Sequence, residues 1–121
     1  MIVGEVTSQQ EAFVRVVVEG PRETRREVDA VLDTGFNGAL TLPSPLIDTL
    51  DLAQRGDTMV QLASGEQRRV LTYRAVVVFG EERQTITIAE ASEPLVGMRL
   101  LWGNALRIEC KEGGTVMLEA F

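Results

Sequence analysis

Polar and apolar residues alternate with period two through the first half of the chain, and a helical period is almost absent. Ala12, Val14, Val16 and Val18 share one face while Arg15 and Glu19 take the other, which predicts a half-buried strand stopping at Gly20-Pro21. The polar stretch 22–27 reads as a hairpin connection and 28–32 as the returning strand. Arg22, Arg25 and Arg26 stand there among Glu19, Glu23 and Glu27, the mixture of a solvated loop and not of an anion site. An apolar segment, 39–42, precedes the one clear helix start. Ser44 is the expected N-cap, Pro45 suits the first helical position, and Leu46, Ile47 and Leu50 recur at helical spacing, with an end near Ala53.

Strands are predicted over 59–62 and 70–79, joined through Ala63-Ser64-Gly65-Glu66 as a projecting hairpin. In 84–90, Ile86 and Ile88 point inward; a helical turn over 98–102 follows Leu95-Val96-Gly97. Leu106, Ile108 and Cys110 alternate with charged residues, so Cys110 is expected to be a small core residue. In 115–121, Val116 and Leu118 lie on one face with Met117 and Phe121 on the other, a strand expected to be covered twice, the second time by a partner subunit. No repeat, linker or low-complexity segment interrupts the pattern. The prediction is one domain over 1–121, mainly β: a small, mostly antiparallel barrel or sandwich with one or two short helices.

Composition removes whole classes of chemistry. The chain of 121 residues has no His, so neither a Ser-His-Asp nor a Cys-His nucleophile pair can form within it, nor a zinc site built on imidazole. Catalysis would have to run on carboxylates. One Cys makes no internal disulfide, which fits a reducing, cytoplasmic location. A net charge of −6 argues against nucleic acid or an anionic membrane as partner. No leader or membrane span is legible, and the sequence is read as the whole mature chain. Carboxylate pairs such as Glu81-Glu82 or Glu90 with Glu93 read as solvated turns, so no metal or cofactor is expected. Ser64 with the single lysine, Lys111, has no supporting spacing, and Trp102 reads as core or interface packing.

The informative segment is Ala30-Val31-Leu32-Asp33-Thr34-Gly35. A carboxylate directly after an apolar strand is costly if buried without partners. By itself it is an Asp that starts a turn. A second apolar segment ending in glycine, Pro94-Leu95-Val96-Gly97-Met98, with a hairpin between the two, describes a cleft with a lid. The order of these features resembles the single-lobe, retroviral-protease-like aspartic proteases, including their bacterial members. Asp33-Thr34-Gly35 matches the catalytic loop, 62–69 falls at the flap, and Leu95-Val96-Gly97 matches the apolar-apolar-Gly motif; the run Asp33-Thr34-Gly35-Phe36-Asn37-Gly38-Ala39-Leu40-Thr41-Leu42-Pro43 is similar to bacterial members.

The resemblance implies a closed antiparallel β-barrel of the acid-protease type and an aspartic endopeptidase without cofactor. Such catalysis needs two carboxylates sharing one proton, one activating a water and the other polarising the scissile carbonyl. Asp29 does not supply the second, because four residues of strand carry the chain about 13 Å. A homodimer would bring Asp33 of two copies across a twofold axis, acting on a peptide or protein substrate with an acid-shifted pH optimum. By the same resemblance Thr34 would hydrogen-bond across the axis, or else cap its own turn. Gly35 would permit a close backbone approach or a positive φ. Ala63, Ser64 and Gly65 would form the flap tip and offer backbone groups to an extended peptide, or else an ordinary turn. This flap is less glycine-rich than in the family's best-known members, and Phe36 stands where many have a small residue, narrowing the pocket or joining the core. Two other readings predict different behaviour: a catalytically inactive peptide-binding or dimerisation module of the same fold, and a monomeric ligand-binding barrel with Asp33 as a turn residue.

Overall fold

The computed structural model describes residues 1–121. Ten strands and two short helices follow in the order β1 (Ile2–Val6), β2 (Ala12–Glu19), β3 (Arg25–Leu32), β4 (Leu40–Leu42), α1 (Ser44–Thr49), β5 (Ala53–Gln61), β6 (Gln67–Phe79), β7 (Glu82–Glu90), β8 (Leu95–Val96), α2 (Met98–Leu101), β9 (Asn104–Ile108) and β10 (Thr115–Ala120). The mainly β expectation holds. All strands join one sheet in the order β5-β6-β7-β4-β8-β3-β2-β1-β10-β9, and β2 also pairs with β6 through Val17–Val78, Val18–Val77 and Glu19–Val76. The sheet therefore bends back on itself and encloses one apolar core. The ladders are antiparallel except at β3–β8 and β4–β7, which run parallel. Both exceptions lie where the chain returns from a distance, β7 to β4 and β8 to β3, as parallel pairing requires.

The period-two faces predicted from sequence form that core. Val14, Val16 and Val18 of β2, Ile88 of β7 and Val116 and Leu118 of β10 are all buried, packed with Leu40, Leu42 and Val96. Burial of so many branched side chains, each worth roughly 1.5–3 kcal/mol, is what holds a domain of this size together.

Several boundaries differ from the sequence expectation. The returning strand β3 starts at Arg25, because Arg25, Arg26 and Glu27 extend opposite Glu19, Val18 and Val17. The connection shrinks to the turn closed by the Gly20 N–H donating to the Thr24 carbonyl at 3.0 Å. The first helix is capped by Pro43 and not by Ser44: the N–H groups of Leu46 and Ile47 both donate to the Pro43 carbonyl, and the helix has no side-chain cap. It also ends earlier, at Thr49, whose hydroxyl donates to the Pro45 carbonyl at 2.9 Å. Asp51, with φ at 52°, turns the chain so that Ala53 opens a strand.

Cys110 is exposed, which overturns its placement in the core. The alternation that put it there stops at Ile108; beyond it Lys111 and Gly114 donate to the carbonyls of Glu109 and Lys111 in a tight turn that lifts Cys110 outward. The Glu109 carboxylate accepts the Thr115 N–H at 3.1 Å, and this bond draws its pKa below the usual carboxylate value. Trp102 is 78% exposed, so it is not core. On β10, Met117 lies opposite Val3, itself 60% exposed, and Phe121 is 95% exposed, so the second face of the terminal strand is open to solvent.

Candidate active site

The site is built where two chain-consecutive strands are separated by a third. β8 inserts between β3 and β4, parallel to the first (Val31–Leu95, Leu32–Val96) and antiparallel to the second (Leu40–Val96, Thr41–Leu95). β8 is thus an interior strand paired along both edges, with Val96 fully buried and Leu95 half-buried. The last bond of the β3–β8 ladder is donated by the Asp33 N–H to the Val96 carbonyl at 2.9 Å, so the chain leaves the sheet at the carboxylate.

A tight turn follows. The Gly35 N–H donates to Asp33 Oδ1 at 2.9 Å, and the Phe36 N–H to the Asp33 carbonyl at 3.1 Å. The first is a charge-assisted bond that sets the carboxylate's rotamer and leaves Oδ2 free. Gly35 does not adopt a positive φ; what its missing side chain provides is space, since a Cβ there would sit 3.2 Å from Asp33 Oδ1. The Thr34 side chain is exposed and makes no hydrogen bond within the chain, so it does not cap its own turn.

The segment beyond the turn is zipped to the Leu95-Val96-Gly97 segment. Gly97, Met98 and Arg99 donate to the carbonyls of Ala39, Phe36 and Gly38 at 3.0, 2.8 and 3.2 Å. Only glycine fits at 97, because a Cβ would overlap the Gly38 carbonyl oxygen. The Phe36 ring lies against the open faces of Gly38 and Gly97, half-buried, so this bulky residue both wedges the two loops and lines the cleft.

Sequence reasoning missed Thr41, whose buried hydroxyl donates to the Glu93 carbonyl at 2.8 Å and accepts the Leu95 N–H at 2.9 Å. The visible signal is a polar residue between Leu40 and Leu42 in a three-residue apolar strand. Thr41→Val keeps the shape and leaves two part-buried backbone groups, the Glu93 carbonyl and the Leu95 N–H, without their partner. It should cost about 2 kcal/mol in denaturant unfolding, whereas a surface threonine changed the same way should cost under about 0.5 kcal/mol.

A cleft of about 990 Å³ opens over this platform. Asp33, Gly35 and Phe36 form one wall, Thr72, Thr87 and Ala89 part of another, and the arm from Asp57 to Ala63 the cover. That arm belongs to the β5–β6 hairpin, whose tip is closed by Leu62 and Glu66 and by the Gly65 N–H donating to the Leu62 carbonyl, both at 2.8 Å. Of the three tip residues singled out from sequence, Ala63 lines the cleft while Ser64 and Gly65 lie outside its lining; Gly65 has φ at 88° and open space around it. Thr34 also lies outside the lining. The arrangement is one unpaired carboxylate, oriented by a backbone N–H, in a cleft covered by a hairpin arm.

No group of three or more potential metal-ligating side chains comes together anywhere in the chain. No helix is long and apolar enough to cross a membrane.

No family model and no curated protein matches the chain. Among solved structures it is similar to EIAV protease complexed with the inhibitor HBY-793, at 13% sequence identity and a TM-score of 0.58, over 78% of this chain and 88% of that one. At this identity the likeness is one of fold: the chain has a retroviral-protease-like fold.

Proposed function

We propose that the protein is an aspartic endopeptidase of the bacterial, retroviral-protease-like type, acting in the cytoplasm as a homodimer without metal or cofactor, its sheet a closed barrel. The observation that carries this reading is Asp33 itself. It stands at the end of an apolar strand, aimed by Gly35 into the floor of a groove beneath a hairpin, with one carboxylate oxygen unpaired. A half-buried carboxylate with one oxygen free at the floor of a groove suits a group that must accept a proton from water.

The remainder of the mechanism needs a second copy. One carboxylate cannot both activate water and donate to the scissile carbonyl, and the chain brings no other unpaired acid to the groove, since Asp57 is held by Arg69 at 3.3 Å. A twofold axis beside Asp33 would supply the partner carboxylate and give the exposed Thr34 hydroxyl an acceptor in the opposite turn. The open apolar face of Val3, Met117 and Phe121 supports association of copies. Substrate would lie extended in the groove, its backbone bonded to the flap arm and its carbonyl polarised by the protonated member of the pair.

A second reading is favoured by the flap: with Ser64 and Gly65 outside the cleft lining, the hairpin offers few tip contacts, as a peptide-binding module without turnover would. Incubation with a mixed peptide library, with and without a pepstatin-type inhibitor, and sedimentation of the same sample separate the two. The expected result is a dimer and inhibitor-sensitive cleavage. A dimer that binds library peptides and leaves them intact selects the binding module, and a monomer excludes both the dyad and its dimer.

A further inference from the structure

Beside the main cleft, and sharing Ala39, Thr87 and Arg99 with it, lies a recess of about 240 Å³. Its wall carries two guanidinium groups, Arg74 of β6 and Arg99 of α2, together with Gln84, Thr85 and Thr87 of β7, and no carboxylate. Arg74 is paired in register with Thr87, so these two side chains emerge on the same face of the sheet.

The recess gathers two cations on an acidic chain. That chain has 18 acidic and 12 basic residues; Arg15, Arg22, Arg69 and Arg83 each meet a carboxylate and the other eight basic residues do not. Arg74 and Arg99 have none within 4.0 Å, although acids outnumber bases. Arg99 is also the single cation of the main cleft whose charge is not already matched within the chain; apart from Asp57, which is paired, the only carboxylate lining that cleft is Asp33. A peptide lying over Asp33 therefore passes a site that offers fork-shaped donors and hydroxyls to a negative group.

We propose that this recess is a specificity subsite that takes an acidic side chain, Asp or Glu, flanking the scissile bond of the substrate. The inference rests on the cleft being a peptide cleft, and it names which peptides enter it. Arg74 and Arg99 act on specificity, by pairing with the substrate carboxylate, and not on the chemical step.

The test uses full-length protein and octapeptide mixtures in which one position at a time is fixed as Glu or as its neutral isostere Gln. The wild type should cleave the Glu set roughly tenfold faster at one position, in line with a charge-assisted contact made near solvent. The preference should shrink as salt rises, and it should fall to within about twofold in the double variant Arg74→Gln/Arg99→Gln. No Glu preference at any position, or one that survives the double variant, overturns the proposal. If no peptide is cleaved at all, the proteolytic reading fails, and the subsite is judged by fluorescence anisotropy of the same labelled peptides on the Asp33→Asn protein. Tighter binding of Glu than Gln peptides, lost in the arginine double variant, still supports it; equal binding or none overturns it.

Discussion

Asp33→Asn should abolish peptide cleavage, by at least about a thousandfold in kcat, while the protein keeps its fold and its association state. The size follows from the role: a carboxylate that takes a proton from water has no substitute in a neutral amide, and general base catalysis with its electrostatic support is worth several powers of ten. The fold should survive because the amide is isosteric and its oxygen still accepts the Gly35 N–H, the bond that shapes the turn. Asp33→Ala removes that bond too and should lose some stability along with activity. Mixing gives a sharper readout. If each site needs one Asp33 from each copy, adding an equal amount of exchanged Asp33→Asn protein to a fixed amount of wild type should leave about half the cleavage rate, because mixed dimers form at random and are dead. A monomeric enzyme would be unaffected by the addition. Full turnover in purified Asp33→Asn protein would remove the catalytic claim.

What could be read from sequence was whatever burial imprints as alternation. β2, β7 and β10 each bury one face, so Val14, Val16, Val18, Ile86, Ile88, Val116 and Leu118 announce their strands and their inward side. β5 was only partly legible, its first six residues, Ala53 to Thr58, being missed, because nearly every residue in it is exposed: a hairpin arm held by its partner strand's backbone needs no apolar face, and hydrogen bonds leave no residue-type pattern. The same reason hid the start of β3, where Arg25, Arg26 and Glu27 extend only because β2 is opposite. Cys110 failed differently, since alternation continues in the letters after the ladder has ended at Ile108. In the site, Asp33 and the Leu95-Val96-Gly97 segment stood out separately, but what brings them together is a parallel pairing between residues some sixty positions apart, which no local pattern encodes. Thr41, which ties β8 to β4 on its other edge, has the look of a tolerated β-branched residue until its two partners are known.

Gly97→Ala should be strongly destabilising for the addition of a single methyl group. Gly97 has an ordinary backbone conformation, φ −102°, so alanine meets no conformational obstacle there. The obstacle is space. The new Cβ would overlap the Gly38 carbonyl oxygen and stand 2.7 Å from the Phe36 carbonyl oxygen, and both are backbone atoms with no rotamer to escape into. The two loops would have to separate, stretching the bonds donated by Gly97, Met98 and Arg99 that tie α2 to the Asp33 turn. Three weakened bonds and an overpacked contact give an expected loss of about 3 kcal/mol, or a melting temperature lower by about 10 °C for a domain of this length. Gly65→Ala is the control. Its φ of 88° disfavours alanine, but nothing lies within 4 Å, so the cost should stay near 1 kcal/mol. The contrast separates crowding from backbone strain: a Gly97→Ala protein melting within a degree or two of wild type would mean that the two loops are not packed as closely as their hydrogen bonds require, and with that the positioning of Asp33 by β8 would lose its physical basis.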